Sequence, residues 1–378
     1  MDSLNRDKGE SVDNILVTRS SMPPFEEYAE EISSLWGSHW LTNRGAKHRE
    51  LESALKRYLD AEAISLFTNG HSALECVLEA MELEGEVITT PFTFVSTTNA
   101  IVRKGLTPVF ADVRESDYTL DPAEVEKLIT PRTCAIIPVH VYGNICDVSA
   151  FEEIAQKHNL KLIYDAAHAF GIRVDGRSAV TFGDASMLSF HATKVFNTIE
   201  GGAIVCHDET LAHSLEEWKN FGIESPESVA HIGGNAKMNE FCAAMGLCNL
   251  RHVDDEIAKR KVVAEKYFEL LDGVPGVKLS IPTDNVRSNY AYLPVVFDEA
   301  FGATRDEVYE ALLQDGIHAR KYFYPLISDC ACYCGRYDSA ETPIAKHLSE
   351  SVLTLPMYAD LALEDVERIC DVVVGTRR

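Results

Sequence analysis

Four stretches of this chain carry residue types whose combined chemistry is specific. Lys194 closes Ser189-Phe190-His191-Ala192-Thr193-Lys194, directly after an apolar segment of strand composition. A lysine is usually a solvated surface charge, but one desolvated at a strand end becomes a neutral amine able to attack a carbonyl carbon, which arginine cannot do. Asp165 ends a second apolar segment, Leu162-Ile163-Tyr164-Asp165, and in open parallel sheets ligands sit beyond the carboxyl ends of the strands. The position suits a catalytic carboxylate and equally a loop or helix cap. His168, three residues on, can reach the same space on a turn. Thr68-Asn69-Gly70-His71-Ser72 joins a strand to a helix, and a small-residue turn of this kind aims backbone N–H groups at a phosphate-sized anion. Phe92-Thr93-Phe94 follows a third strand, where a ring serves either the core or the face of a planar ligand. Each feature alone is weak. Together they match pyridoxal phosphate: a lysine for the aldehyde, an aspartate for the ring nitrogen, an aromatic for the ring face, and a turn with Ser189 for the phosphate.

These residues meet only if the strands that carry them lie side by side. Seven β-rich segments occupy the first 210 residues: Glu62–Phe67, Glu86–Thr90, Pro108–Val113, Cys134–Val141, Leu160–Tyr164, Ala185–Phe190 and Gly202–Cys206. Helical periodicity separates most of them, over Ser72–Glu82, Pro122–Ile129, Ser149–His158 and Leu211–Trp218. Strand–helix alternation predicts an α/β architecture with a mostly parallel sheet. His191–Gly201 is too short for a helical crossover, so one edge strand is expected to run antiparallel. A long helix is expected from Met238 to about Leu271, and Gly273, Pro275, Gly276 and Pro282 mark a turn-rich segment after it. The resulting division is a tail over residues 1–13, polar and expected to be disordered, a large domain over 14–250 and a small α/β domain over 251–378. In the small domain Ala291–Phe297 reads as a strand, assigned to an edge because of Pro294. Arg305–Gln314 and Leu363–Val374 read as helices.

The 378 residues include 35 Lys+Arg and 59 Asp+Glu, a formal net charge of −24 with no basic block, which opposes nucleic-acid or anionic-membrane partners. Any anionic ligand needs a locally cationic pocket. No apolar run approaches the roughly 20 residues of a bilayer span. The N-terminus has no apolar signal-like stretch, so a cytoplasmic location is expected. The ten cysteines lie mostly within apolar segments. Cys330, Cys332 and Cys334 alternate, yet no Cys/His pair stands nearby at zinc-site spacing, so reduced thiols and no metal are expected. No Gly-x-Gly-x-x-Gly follows a strand, which removes the signal of a nicotinamide-dependent oxidoreductase.

Beyond single residues, the chain resembles the DegT/DnrJ/StrS family of aminotransferases acting on nucleotide-linked keto sugars. The matching motifs are Trp40-Leu41-Thr42, Phe67–Leu74, Thr93-Phe94-Val95-Ser96-Thr97, Asp165–Ala169, Ser189–Lys194, Glu200-Gly201-Gly202, Asn235–Gly246 and Val352–Tyr358. The resemblance implies the fold-type I architecture of pyridoxal phosphate aminotransferases: a seven-stranded, mostly parallel sheet sandwiched by helices, with a smaller C-terminal α/β domain. It makes Lys194 the cofactor-linking lysine, Asp165 the partner of the ring nitrogen, His168 the neighbour of the phenolic oxygen, Phe94 the stacking ring, and Ser189 with Gly70 and His71 the phosphate cradle. Family members commonly have Gly-Thr or Ser-Thr where this chain has Gly70-His71. The loop holding Asn235 and Lys237 matches one that reaches a neighbouring subunit's active site, implying a homodimer with shared sites. Thr42, Arg44, Arg320, Lys321 and Tyr322 fall in segments placed around the sugar. The implied reaction moves an amino group from L-glutamate to C4 of a 6-deoxy-4-ketohexose on thymidine diphosphate, a step of deoxysugar or O-antigen synthesis. A GDP-perosamine synthase type and a sugar 3-aminotransferase are the alternatives. Dehydratase relatives carry His in place of the lysine, and Lys194 sets this chain apart from them.

Overall fold

The computed structural model describes residues 14–378, so the tail assigned to 1–13 lies outside the described residues. All seven expected segments form strands of one sheet: β1 (Ala63–Phe67), β2 (Glu86–Thr89), β3 (Thr107–Phe110), β4 (Thr133–Ile136), β5 (Lys161–Asp165), β6 (Ala185–Ser189) and β7 (Gly202–Cys206), in the order β1-β7-β6-β5-β4-β2-β3. The run from β6 to β3 is parallel. β7 is antiparallel to both neighbours, β1 and β6. The expected antiparallel strand therefore exists but not at an edge. The short return after β6 brings the chain straight back, and all five residues of Gly202-Ala203-Ile204-Val205-Cys206 are buried, so this strand is stable only with a partner on each side. β4 stops at Ile136, short of the apolar run that continues to Val141, because Pro138 has no N–H for the ladder; a single bridge from Val139 to Asp165 follows.

Several helices of the large domain begin where a side chain caps a free backbone N–H group. α1 (Gly70–Ala80) starts after Asn69, whose Oδ1 accepts the N–H of Ser72 at 2.7 Å. α2 (Val95–Arg103) follows β2. α3 (Pro122–Leu128), α4 (Val148–His158) and α5 (Glu209–Trp218) are capped by Asp121, Asp147 and Asp208.

The 32-residue α6 (Glu240–Leu271) runs through both apolar cores. Ala243, Leu247, Val253 and Ile257 pack with Leu51, Phe190 and Phe196 behind the large sheet. Val263, Tyr267 and Leu271 pack with Val295, Leu355 and Ile369, and Ile15 joins this second core. The second core covers a three-stranded antiparallel sheet of β8 (Val277–Leu279), β9 (Leu293–Phe297) and β10 (Val352–Leu355), with α7 (Arg305–Gln314) and α8 (Leu363–Gly375) against it. β9 is the central strand, which corrects the edge assignment. β8 ends with Leu279 opposite Val295, one residue short of Pro294, so the proline faces a partner on one side only. Among the described residues no helix is long and apolar enough to cross a membrane.

Candidate active site

The sheet topology brings four chain segments to one edge. β5 and β6 end there with Asp165 and Ser189, and the loops after β1 and β2 deliver Gly70-His71 and Phe94. Antiparallel β7 starts at this edge, and Gly202 is paired with Phe67 on one side and Ser189 on the other. A Cβ on Gly202 would lie 2.5 Å from the Gly70 nitrogen and 2.6 Å from the Asn69 carbonyl carbon, so only glycine lets the three segments close up. They enclose a cavity of about 380 Å³ lined by Gly70, His71, Phe94, Asp165, His168, Ser189, Lys194, Arg320 and Tyr322.

Burial sets the protonation of its central groups. Asp165 is 4% exposed; its Oδ2 accepts the Thr97 hydroxyl at 2.7 Å and its Oδ1 the N–H of Ala167 at 3.2 Å. Burial pushes its pKa up, while those two donors and the Lys194 charge pull the other way. Lys194 Nζ lies 3.3 Å from the Tyr292 hydroxyl, and burial pushes the amine's pKa down, which favours the neutral nucleophile. His168 is held well below the usual histidine range by burial, with a smaller contribution from Lys194. Its Nδ1 accepts the N–H of Tyr142 at 3.0 Å. A backbone N–H only donates, so the neutral ring carries its proton on Nε2. Phe94 is 52% exposed and leans on Tyr322 with centroids 6.3 Å apart. The Arg320 guanidinium sits 5.2 Å over the Tyr322 ring.

Other expected site residues are not brought to this cavity by the chain's own fold. Thr42 is exposed. Arg44 is engaged by Glu52 at 2.9 Å and Glu216 at 3.2 Å. Lys321 pairs with Asp306 at 2.7 Å over the Tyr309 ring. Asn235 bridges Asn220 through its backbone, and Lys237 Nζ lies 2.5 Å from Asn220 Oδ1. The three alternating cysteines are partly or fully exposed, and among the described residues no group of three His, Cys, Asp or Glu is placed to hold a metal ion. Two residues that matter were not singled out from the sequence. Thr97, the clamp on Asp165, stands one helical turn after Phe94 and was legible as a hydroxyl on the same face. Tyr292 reaches Lys194 from 98 positions further along the chain, with no local signal.

A lysine amine and a buried carboxylate lining one cavity at the strand ends of an α/β sheet define a site for carbonyl–amine exchange. The chain belongs to the DegT/DnrJ/EryC1/StrS aminotransferase family, whose model matches residues 25–374. It is 42% identical to a dTDP-4-amino-4,6-dideoxy-D-glucose transaminase of Shigella dysenteriae, over 95% of this chain and 98% of that one. It is 32% identical to a GDP-perosamine synthase of Caulobacter vibrioides, over 87% and 90% of the two chains. A solved structure of DesI in the presence of its TDP-sugar product superimposes with a TM-score of 0.91 at 36% identity, covering 96% of this chain and 92% of that one.

Proposed function

We propose that this sugar aminotransferase uses pyridoxal phosphate to move the amino group of L-glutamate to C4 of dTDP-4-keto-6-deoxyglucose, giving dTDP-4-amino-4,6-dideoxyglucose, as a cytoplasmic homodimer. The observation that carries the reading is the convergence of Lys194, Asp165 and the Gly70 turn on one cavity. The residues present fit the cofactor. Among the described residues no acceptor pairs with the N–H groups of Gly70 and His71, which leaves two donors for a phosphate beside Ser189. Asp165 is acceptor-only when ionised and suits a protonated ring nitrogen, His168 can donate Nε2–H to a phenolic oxygen, and Phe94 can cover the ring.

When bound, pyridoxal phosphate supplies an electron sink for breaking a C–H bond beside an amine nitrogen. Asp165 keeps the ring nitrogen charged. Lys194 Nζ, whose neutral form burial favours, accepts the α-proton of glutamate in one half-reaction and delivers a proton to the sugar carbon in the other. Tyr292 orients that amine. Arg320 is the one arginine lining the cavity among the described residues and is the candidate contact for the sugar diphosphate.

The thymidine carrier and C4 rest on the relative named for that product, 42% identical, against 32% for the perosamine synthase. Steady-state transfer from glutamate to keto sugars on thymidine, uridine and guanosine diphosphates, with NMR of the product, tests it. The expected result is a 4-amino sugar on thymidine diphosphate. Turnover of the guanosine sugar alone, or amination at C3, would move the assignment to one of the alternatives.

A further inference from the structure

We propose that Ser96 is a further phosphate-binding residue of this site, and that Glu75 and His71 position its hydroxyl; the proposal rests on the cofactor reading above. α1 and α2 pack side by side and both begin at the cavity. His71 stands in the first turn of α1 and Ser96 in the first turn of α2, and both line the cavity with Gly70 and Ser189. His71 Nδ1 is 2.9 Å from Ser96 Oγ. Its Nε2 is 3.4 Å from Glu75 Oε1, one helical turn on, and Glu75 is paired with Arg103 at the far end of α2. Four polar side chains thus form a continuous chain from one helix to the next and end at the cavity.

The His71–Ser96 contact can run in either direction, since a hydroxyl both donates and accepts. With a proton on Nδ1, His71 donates to Ser96 Oγ and the hydroxyl proton is free to point at an anion; with a bare Nδ1 the ring takes that proton instead. A phosphate oxygen in the cavity is an acceptor and selects the first arrangement.

Pyridoxal, which lacks the phosphate, separates this role from a general effect on the site. Dissociation constants of pyridoxal phosphate and pyridoxal are measured for the cofactor-free full-length protein and its variants, from the absorbance of the lysine-bound chromophore. Ser96→Ala is expected to weaken pyridoxal phosphate about tenfold to a hundredfold, the range for a hydrogen bond to a charged group, and to leave pyridoxal unchanged. Ser96→Thr should bind both like the native chain. His71→Ala should share the selective loss, and the double variant should lose no more than the stronger single, since one residue acts through the other. Equal losses for both ligands, or additive losses, would overturn the proposal. A native chain that bound neither ligand through Lys194 would overturn the cofactor reading with it; native binding with unselective variants would overturn the Ser96 role alone.

Discussion

Lys194 and Asp165 are shifted in opposite directions by one cause, since burial disfavours the charged form of each. For the lysine the sign is direct: a pKa below the ordinary 10.5 leaves more neutral amine at any lower pH. Capture of pyridoxal, followed by absorbance, should therefore accelerate with pH and level off below 10.5; a plateau only at or above that value would mean that the amine is solvated. Lys194→Ala should form no such adduct and should lose more than the roughly 10²–10⁴ that general acid–base catalysis contributes, measured as kcat for glutamate-dependent transfer. The types and strand-end positions of these two residues were legible, because they depend on residue chemistry and on the end of an apolar run. Tyr292 was not, because its contact with Lys194 joins residues 98 positions apart, with β7, α5 and α6 between them.

At the scale of elements, the site depends on how closely β7, β1 and the start of α1 approach. Gly202→Ala forces a methyl group against the backbone of Asn69 and Gly70, which cannot move aside as a flexible side chain would. The expected cost is about 1–3 kcal/mol of stability, the range for overpacking, with weaker retention of phosphate-bearing ligands. Chemical denaturation and cofactor binding check it together; native stability would show that β7 and α1 separate freely. The sequence led to one antiparallel strand but put it at an edge. Loop length speaks to the direction of a strand, whereas its place in the order depends on β1, which comes more than a hundred residues earlier. Pro294 teaches the same lesson in the small sheet: the proline rule concerns one missing donor, and a neighbour that ends one residue early removes the need for it.

At the scale of the whole molecule, Asn235 and Lys237 hold to Asn220 and stay outside their own chain's cavity, as residues lent to a second copy would. Mixing Lys194→Ala chains with Asn235→Ala/Lys237→Ala chains should then restore one complete site per heterodimer. Heterodimers verified by mass that remain as inactive as either parent would exclude sharing. The net charge of −24 repels a nucleotide diphosphate at long range, so sugar affinity must come from short contacts and should hold or improve as salt rises to the point where screening acts over roughly 10 Å. Arg320→Ala should raise the KM for the nucleotide sugar more than that for glutamate. Lys321→Ala should do much less, since Asp306 already holds that ammonium. Equal effects of the two substitutions on the sugar would place Lys321 in the site.

The sequence by itself determined the seven strand segments, the helical stretches that alternate with them, and the pairing of a lysine with an aspartate at strand ends. These follow from periodicity, side-chain capping and residue chemistry, all of which act within a few positions of the chain. Only the tertiary structure decided that β7 lies inside the sheet, that Pro294 sits in a central strand, that Thr97 and Tyr292 meet Asp165 and Lys194, and that Arg44 and Lys321 are taken up by carboxylates while Arg320 faces the cavity. Each of those outcomes is a competition among partners distant in sequence, settled by which contacts can be buried and satisfied together, and a local window of sequence does not contain the competitors.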